Sequence, residues 1–258
     1  MSSMWNTISI GRIFIGFCLT RKRMYLHRSR HRLVLERSNA MPTSLIEDTD
    51  TVLTEAMEHM ILSIEEEGQH VCSIDTETSS FRGSVIQIAF VAMDRSGNVI
   101  PSCTFASLLH LPREERIDPR ARSVHGISEH DLWERGVPPA QAMSILAERV
   151  LSAKRAGARI VAHNSDFDSS RILHTSSLAG VDPPPLRKED LFCTMRSSTL
   201  PRKRPRNAEL YEYLHGSPPP SEWSLHDAET DAKITALNYL EGERRRWWGE
   251  RLEWNRKE

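Results

Sequence analysis

The sequence predicts an α/β fold, a three-layer sandwich built on a mixed five-stranded sheet. Three observations carry this. Two adjacent strand-like runs, Val85–Met93 and Val99–Phe105, flank an Asp94-Arg-Ser-Gly97 turn and follow a third run, so the chain opens on an antiparallel meander. Apolar runs then alternate with helical periodicity, which demands parallel strands and crossover helices. The length of 258 residues with 39% hydrophobic and 27% charged residues suits one such domain. Collagen-like repeats, multi-span membrane proteins and wholly disordered chains are excluded on the same numbers.

In chain order, the amphipathic stretch 51–67 carries Val52, Leu53, Ala56, Met57, Met60, Ile61 and Ile64 at helical spacing and ends near Gly68. His70–Thr76 reads as the first strand. After the meander, residues 107–137 read mostly as loop, with a helical piece at Ser128–Trp133. Pro139–Ala156 is helical, with Ala142, Ile145, Leu146 and Val150 on one face. Arg159–His163 is a short strand and Phe167–Ala179 a helix, with Phe167 expected in the core. Glu189–Thr194 is the last strand. Pro-rich loops at 197–206 and 216–222 flank a helix at Ala208–His215, and a final helix spans His226–Trp248.

Charge is unevenly distributed. Lys and Arg total 34 against 35 acids, a net of −1, but residues 1–40 alone carry +7, which leaves −8 for the rest. The apolar run Ile8–Leu19, broken by Arg12, is shorter than the roughly 20 residues a bilayer needs. Residues 1–45 are therefore set apart from the fold as a basic extension. Its composition fits an organelle transit peptide, an unfolded extension upstream of a start at Met41, or a nucleic-acid-binding arm. Residues 46–248 form the folded domain and 249–258 a charged tail. The four cysteines lack CxxC spacing, which points to a reducing, intracellular setting in nucleus, cytoplasm or mitochondrion and away from a structural zinc site.

The chemistry gathers in three segments. Asp75-Thr-Glu77 sits at the carboxyl end of the first strand, where period two puts both acids on one face. Like charges so placed are costly to bury unless a cation lies between them. His163-Asn-Ser-Asp166-Phe-Asp168 joins a strand to a helix, and either acid serves the helix dipole or turns into the strand-end crevice. His226-Asp-Ala-Glu-Thr-Asp231 opens the last helix. A first-turn preference for acids accounts for Asp227 and Glu229 but less well for His226.

Taken together and in this order, the segments resemble the DEDD exonuclease superfamily in its histidine subtype, with motifs D-x-E, H-N-x-x-F-D and H-x-A-x-x-D. A Val124-His-Gly-Ile127 segment between the first two is also common there. The resemblance covers roughly residues 69–240 and implies an RNase H-like fold. It implies a 3′–5′ exonuclease releasing nucleoside monophosphates from DNA, preferentially single-stranded. Asp75, Glu77, Asp168 and Asp231 would hold two Mg²⁺ or Mn²⁺ ions, with Asp75 bridging, and His226 would take a proton from the attacking water. Asp168 aligns with the family's acid and Asp166 with a variable position. Hard carboxylate oxygens suit these ions, and imidazole titrates near neutral pH. Thr76, Thr78, Phe81, His125, Asn164 and Arg196 are candidate substrate contacts, and the basic loop Arg196–Arg206 is a candidate phosphate rim.

Rival readings are an exoribonuclease trimming RNA, a non-catalytic nucleic-acid clamp on the same fold, and an unrelated metal-dependent phosphatase. Expected partners are a single-stranded 3′ end and, in trans, a polymerase or other protein; a homodimer is compatible, and no membrane is. Trp247, Trp248 and Trp254 read either as a partner surface or as cover for the sheet's flank.

Overall fold

The computed structural model describes residues 68–200 and 204–248, together with four short strands near the start. The chain divides into two units, Met1–His59 and Met60–Glu258. In the first, β1 (Trp5–Ile10), β2 (Ile13–Cys18), β3 (Arg23–Arg28) and β4 (His31–Glu36) pair antiparallel with one another and add nothing to the main sheet. The helix expected at 51–67, the tail 249–258 and Trp254 lie outside the described residues.

The second unit is built on β5 (Val71–Thr78), β6 (Val85–Met93), β7 (Phe105–Leu108), β8 (Arg159–Ala162) and β9 (Leu191–Cys193). Their order is β7-β6-β5-β8-β9, antiparallel on the β6–β7 side and parallel across β8 and β9. This is the mixed five-stranded sheet of the α/β expectation. Among the described residues, seven α-helices follow in chain order: α1 (Pro119–His125), α2 (Glu129–Arg135), α3 (Pro139–Arg155), α4 (Ser165–Leu178), α5 (Thr194–Ser197), α6 (Asn207–His215) and α7 (Ala228–Arg244).

The pleat of β5 sorts the layers. Cys72 and Ile74 look to one face, where Met143, Leu146 and Val150 of α3 and Ile172 of α4 close a core. Val71 looks to the other, where Leu210 and Leu214 of α6 and Ala232, Ala236 and Tyr239 of α7 close a second. Asp75 therefore belongs to the α7 face and Thr76 to the α4 face. β6 is buried along almost its whole length, as a central strand must be, and its single polar residue is Gln87.

Three expectations need correcting. The third strand is not Val99–Phe105: Val99 makes only a bridge to Met93, Pro101 opens a 3₁₀ turn, and the strand starts at Phe105. Proline has no N–H to give a ladder, so pairing cannot run through it. The stretch 107–137 holds a further short helix, α1, ahead of α2, which is the helix expected at Ser128–Trp133. Asp118 caps α1 by accepting from the Arg120 N–H at 2.7 Å, and Gly126 ends it at φ 71°. A Ser128–Asp131 capping box opens α2. The final helix begins at Ala228 and ends at Arg244, leaving His226 before it and Trp248 folded back beneath it.

That return settles the reading of two tryptophans as flank cover. Trp248 is buried, donates its indole N–H to the Tyr239 carbonyl at 2.9 Å, and meets Phe192 edge-on at 5.2 Å. Trp247 packs beside Tyr213. A Cβ on Gly242 would stand 2.3 Å from the Trp248 ring, so α7 needs glycine where the indole crosses it.

Candidate active site

The site forms where β5 runs out, between a helix from each face. Asp75 and Glu77, two residues apart, both project toward α7 and are half-buried. The register slips between Glu77 and Thr78, which ends regular pairing at the crevice. Glu77 lies opposite Gln87, whose side chain donates to Asp227 Oδ2 at 2.7 Å and accepts from the Ala228 N–H at 3.1 Å. Asp227 in turn caps α7 by accepting from the Thr230 N–H. One glutamine in an otherwise apolar strand thus docks the start of α7 beside Glu77. Its polarity in that strand was the available signal, and the sequence reading passed over it.

This docking brings Asp231, in the first turn of α7, to the acids of β5. Glu77, His226 and Asp231 offer ligand atoms that all lie within 4.8 Å of one another. His226 is not helical, as the sequence reading has it, but takes a left-handed φ of 63°. Its backbone N–H donates to Asp231 Oδ2 at 3.2 Å, and its Nδ1 stands 3.8 Å from the same oxygen. A non-glycine residue in this region is strained. Here the strain sets an exposed imidazole at the lip of the acid cluster.

Asp168 arrives from the opposite face. It is buried in the first turn of α4, and the Thr76 hydroxyl donates to its Oδ1 at 2.8 Å. Thr76, proposed from the sequence as a substrate contact, is buried with its hydroxyl committed to this bond. Asp166 instead points outward, paired with Arg196 and with Lys188 at 3.2 Å. The two acids of the second motif are thus separated by one helical step into a buried and an exposed role.

The electrostatics record the crowding. Burial, reinforced by Asp168, Asp231 and Glu77, raises the Asp75 carboxyl well above the carboxylate range. Burial and the charges of Asp231 and Asp168 push Glu77 up to about 8. Burial takes Asp168 to about 7 despite the Thr76 hydrogen bond, and burial also raises Asp231 although His226 opposes it. No lysine or arginine is among the causes of any of these four shifts. Four hard oxygen donors that repel one another without a protein cation fit a divalent metal, and His226 borders them.

The surroundings hold these groups still. His163 is half-buried with both ring nitrogens used, one with the Thr194 hydroxyl at 3.0 Å and one with the Pro205 carbonyl at 2.9 Å, so it braces the second motif. Burial lowers its pKa. The loop Ser79–Ser84 is gathered on Glu115, which accepts from the Ser79 hydroxyl and from Ser84 N–H and Oγ at 2.8 and 2.6 Å. Glu115 lies in the stretch read as loop and was not singled out from the sequence. Phe81, at the tip of that loop, is 79% exposed and leans on Phe167 at 5.8 Å between ring centres. Phe167 is half-buried and lines an open cavity with Phe81, a correction to its expected core role.

That cavity, about 720 Å³, also takes in Asn164, Arg171, Arg196 and Arg204. Asn164 is exposed at the N-cap of α4 and makes no capping bond with its side chain. His125 sits apart from this cavity, against the Thr78 backbone and near His226. Its Nδ1 accepts from the Ile127 N–H at 3.0 Å, and burial lowers its pKa. Thr78 itself is buried. Arg202 and Lys203 of the basic loop lie outside the described residues. Among the described residues, no helix is long and apolar enough to cross a membrane.

Comparison with known proteins accords with this geometry. The model of the RNase T exonuclease family matches residues 72–239, which contain every acid above. The nuclease domain of 3′hExo, a DEDDh family member bound to rAMP, superposes with a TM-score of 0.55 at 18% identity, over 68% of this chain and 92% of that one. E. coli Exonuclease I in complex with a dA16 oligonucleotide superposes with a TM-score of 0.52 at 18% identity, over 69% of this chain and 42% of that one. No curated protein sequence matches the chain. With the family model spanning more than half of its length and all three acidic motifs, the chain belongs to the DEDD exonuclease superfamily.

Proposed function

We propose that the protein is a divalent-metal-dependent 3′–5′ exonuclease that releases nucleoside monophosphates from the 3′ end of DNA, preferentially single-stranded. The observation that carries this is the convergence of Asp75, Glu77, Asp168 and Asp231 at one strand end, all with pKa raised by burial, and Asp75 and Glu77 further raised by their acidic neighbours. A retired site has no physical reason to keep such repulsion. A pair of Mg²⁺ or Mn²⁺ ions bound there supplies Lewis-acid neutralisation of charge at the phosphodiester.

The chain's own groups do the rest. The four carboxylates hold the metals, with Asp75 between the other acids. Thr76 keeps Asp168 aimed at them. His226 stands at the lip, exposed so that it can accept a proton from the attacking water, with the Asp231 carboxylate 3.8 Å away to stabilise the resulting imidazolium. Phe81 and Phe167 offer an aromatic surface for the terminal base, and Arg196 a fork for a phosphate.

The test uses single-stranded DNA and RNA labelled at either end, with Mg²⁺, Mn²⁺ or chelator. Mononucleotide release from the 3′ end of DNA, lost on chelation, is expected. Faster release from RNA selects the exoribonuclease reading; the solved relatives include one bound to rAMP and one to a dA16 oligonucleotide. Binding without release selects the clamp.

A further inference from the structure

Among the described residues, the cavity beside the acids holds several guanidinium groups but a single carboxylate, Asp166. Arg82, Arg171, Arg196 and Arg204 all line it. Arg171 donates to the Arg82 and Gly83 carbonyls, which are neutral acceptors. Arg196 is paired with a carboxylate. Its Nη1 donates to Asp166 Oδ2 and its Nη2 to the Ser165 hydroxyl at 2.8 Å, while the other Asp166 oxygen takes Lys188. Two oxygens presented to one guanidinium edge, one of them anionic, is the arrangement a phosphate offers an arginine.

A helix-dipole role does not require this. Asp166 lies in the first turn of α4, where any acid is favourable, but its oxygens go to side chains across the cavity. Both partners are substantially exposed, so the pair adds little stability. It does place a negative charge in a groove otherwise fit for polyanions.

We infer that Asp166 is a positioning residue that acts as an internal stand-in for a substrate phosphate. It holds Arg196 facing the cavity and must yield it when a strand's phosphate arrives, which weakens the grip on the strand. The inference rests on the nucleic-acid reading of the site but concerns binding, so it is separable from turnover.

The test measures binding of a fluorescent single-stranded oligonucleotide with chelator present, over a series of salt concentrations, for the full chain. Asp166→Asn is expected to bind several-fold more tightly. Its plot of log affinity against log salt should steepen by about 0.7, the counterion release of one further phosphate contact on a single strand. Asp166→Glu, which restores the charge, should return both values toward wild type. In an Arg196→Ala background, Asp166→Asn should change binding little.

An Asp166→Asn variant with unchanged affinity and slope overturns the inference. So does one whose binding weakens in step with a lowered Tm, which marks a purely structural role. Tighter binding that persists without Arg196 also overturns it, since the carboxylate would then act as a plain repulsive charge. Loss of wild-type nuclease activity from the assays above would sink the enzyme reading and leave this binding comparison intact.

Discussion

Thr76 and Asp168 belong to the first and second motifs, 92 residues apart, and are joined by a buried hydrogen bond of 2.8 Å. The bond couples the strand that carries two of the site's acids to the helix that brings a third. Thr76 occupies the position between Asp75 and Glu77 but faces the other side of the sheet, which is why it reaches Asp168.

Thr76→Val keeps the shape and removes the donor. A buried hydrogen bond to a charged group is worth about 1.5–3 kcal/mol. The variant is expected to need about tenfold more Mg²⁺ for half-maximal activity, with activity recovering at saturating metal. A metal titration of the initial rate checks this; an unchanged midpoint would separate Thr76 from the site.

The raised carboxyls make metal-free stability depend on pH. Glu77 titrates at about 8 and Asp168 at about 7 in the fold, above their unfolded values of 4.5 and 3.8. The folded state therefore binds more protons than the unfolded one across this window. The stabilisation is complete below the unfolded values and lost as pH rises through about 7 and 8. In chelator, Tm should fall between about pH 5 and pH 8. Millimolar Mn²⁺ should restore it at the upper end and do little at the lower. Scanning fluorimetry at both pH values reads this directly.

Neutralising one acid separates stability from function. Glu77→Gln removes a charge repelled by Asp231 and Asp168. Without metal at alkaline pH, its Tm is expected to exceed that of wild type by a few degrees, about 2–4 °C per kcal/mol for a domain of this size. Its nuclease activity should be lost. A lower Tm would mean that the acid is better accommodated than its surroundings indicate.

His226 and His163 divide the histidine roles. His226→Ala is expected to lower kcat by about 10²–10⁴-fold with little change in Tm, since its exposed ring makes only a 3.8 Å approach to Asp231. His163→Ala removes a half-buried strut and should lower Tm first. Comparing kcat and Tm for the two variants checks the division.

Gly242→Ala tests the cover over the sheet. Alanine is the better helix former by up to about 1 kcal/mol. Its Cβ, however, would stand 2.3–2.5 Å from three atoms of a buried indole that has no room to withdraw. Overpacking of that kind costs about 1–3 kcal/mol, so the clash wins. Tm should fall, and Trp248 fluorescence should shift as the ring leaves the Phe192–Tyr239 cluster.

Much of this was legible in the residues because it rests on local periodicity. The two-residue spacing of Asp75 and Glu77 names their common face, and the strand-to-helix passage at 160–168 places an acid at the crevice. Helix α1 escaped because none of its side chains is buried, so it shows no apolar stripe; its capping residues were the readable sign, as the Ser128–Asp131 box was for the expected α2. His226 was misread as helical because the N-cap at Asp227 starts the helix at Ala228, two residues later than the expected start at His226. The pairing of Asp166 with Arg196, the grip of Glu115 on the loop at Ser79 and the packing of Trp248 on Phe192 are contacts between distant positions. Nothing in single-residue spacing encodes them.

The central claim is that the acids at the end of β5 carry metal-dependent hydrolysis from a 3′ end. The most direct measurement follows release from 5′-labelled and 3′-labelled single-stranded DNA in Mg²⁺ by the wild-type chain and by Asp75→Ala, with circular dichroism to establish that both are folded. The account predicts 3′-terminal mononucleotide release by the wild type and none above background by a folded Asp75→Ala. Full Mg²⁺-dependent release by that variant would contradict it.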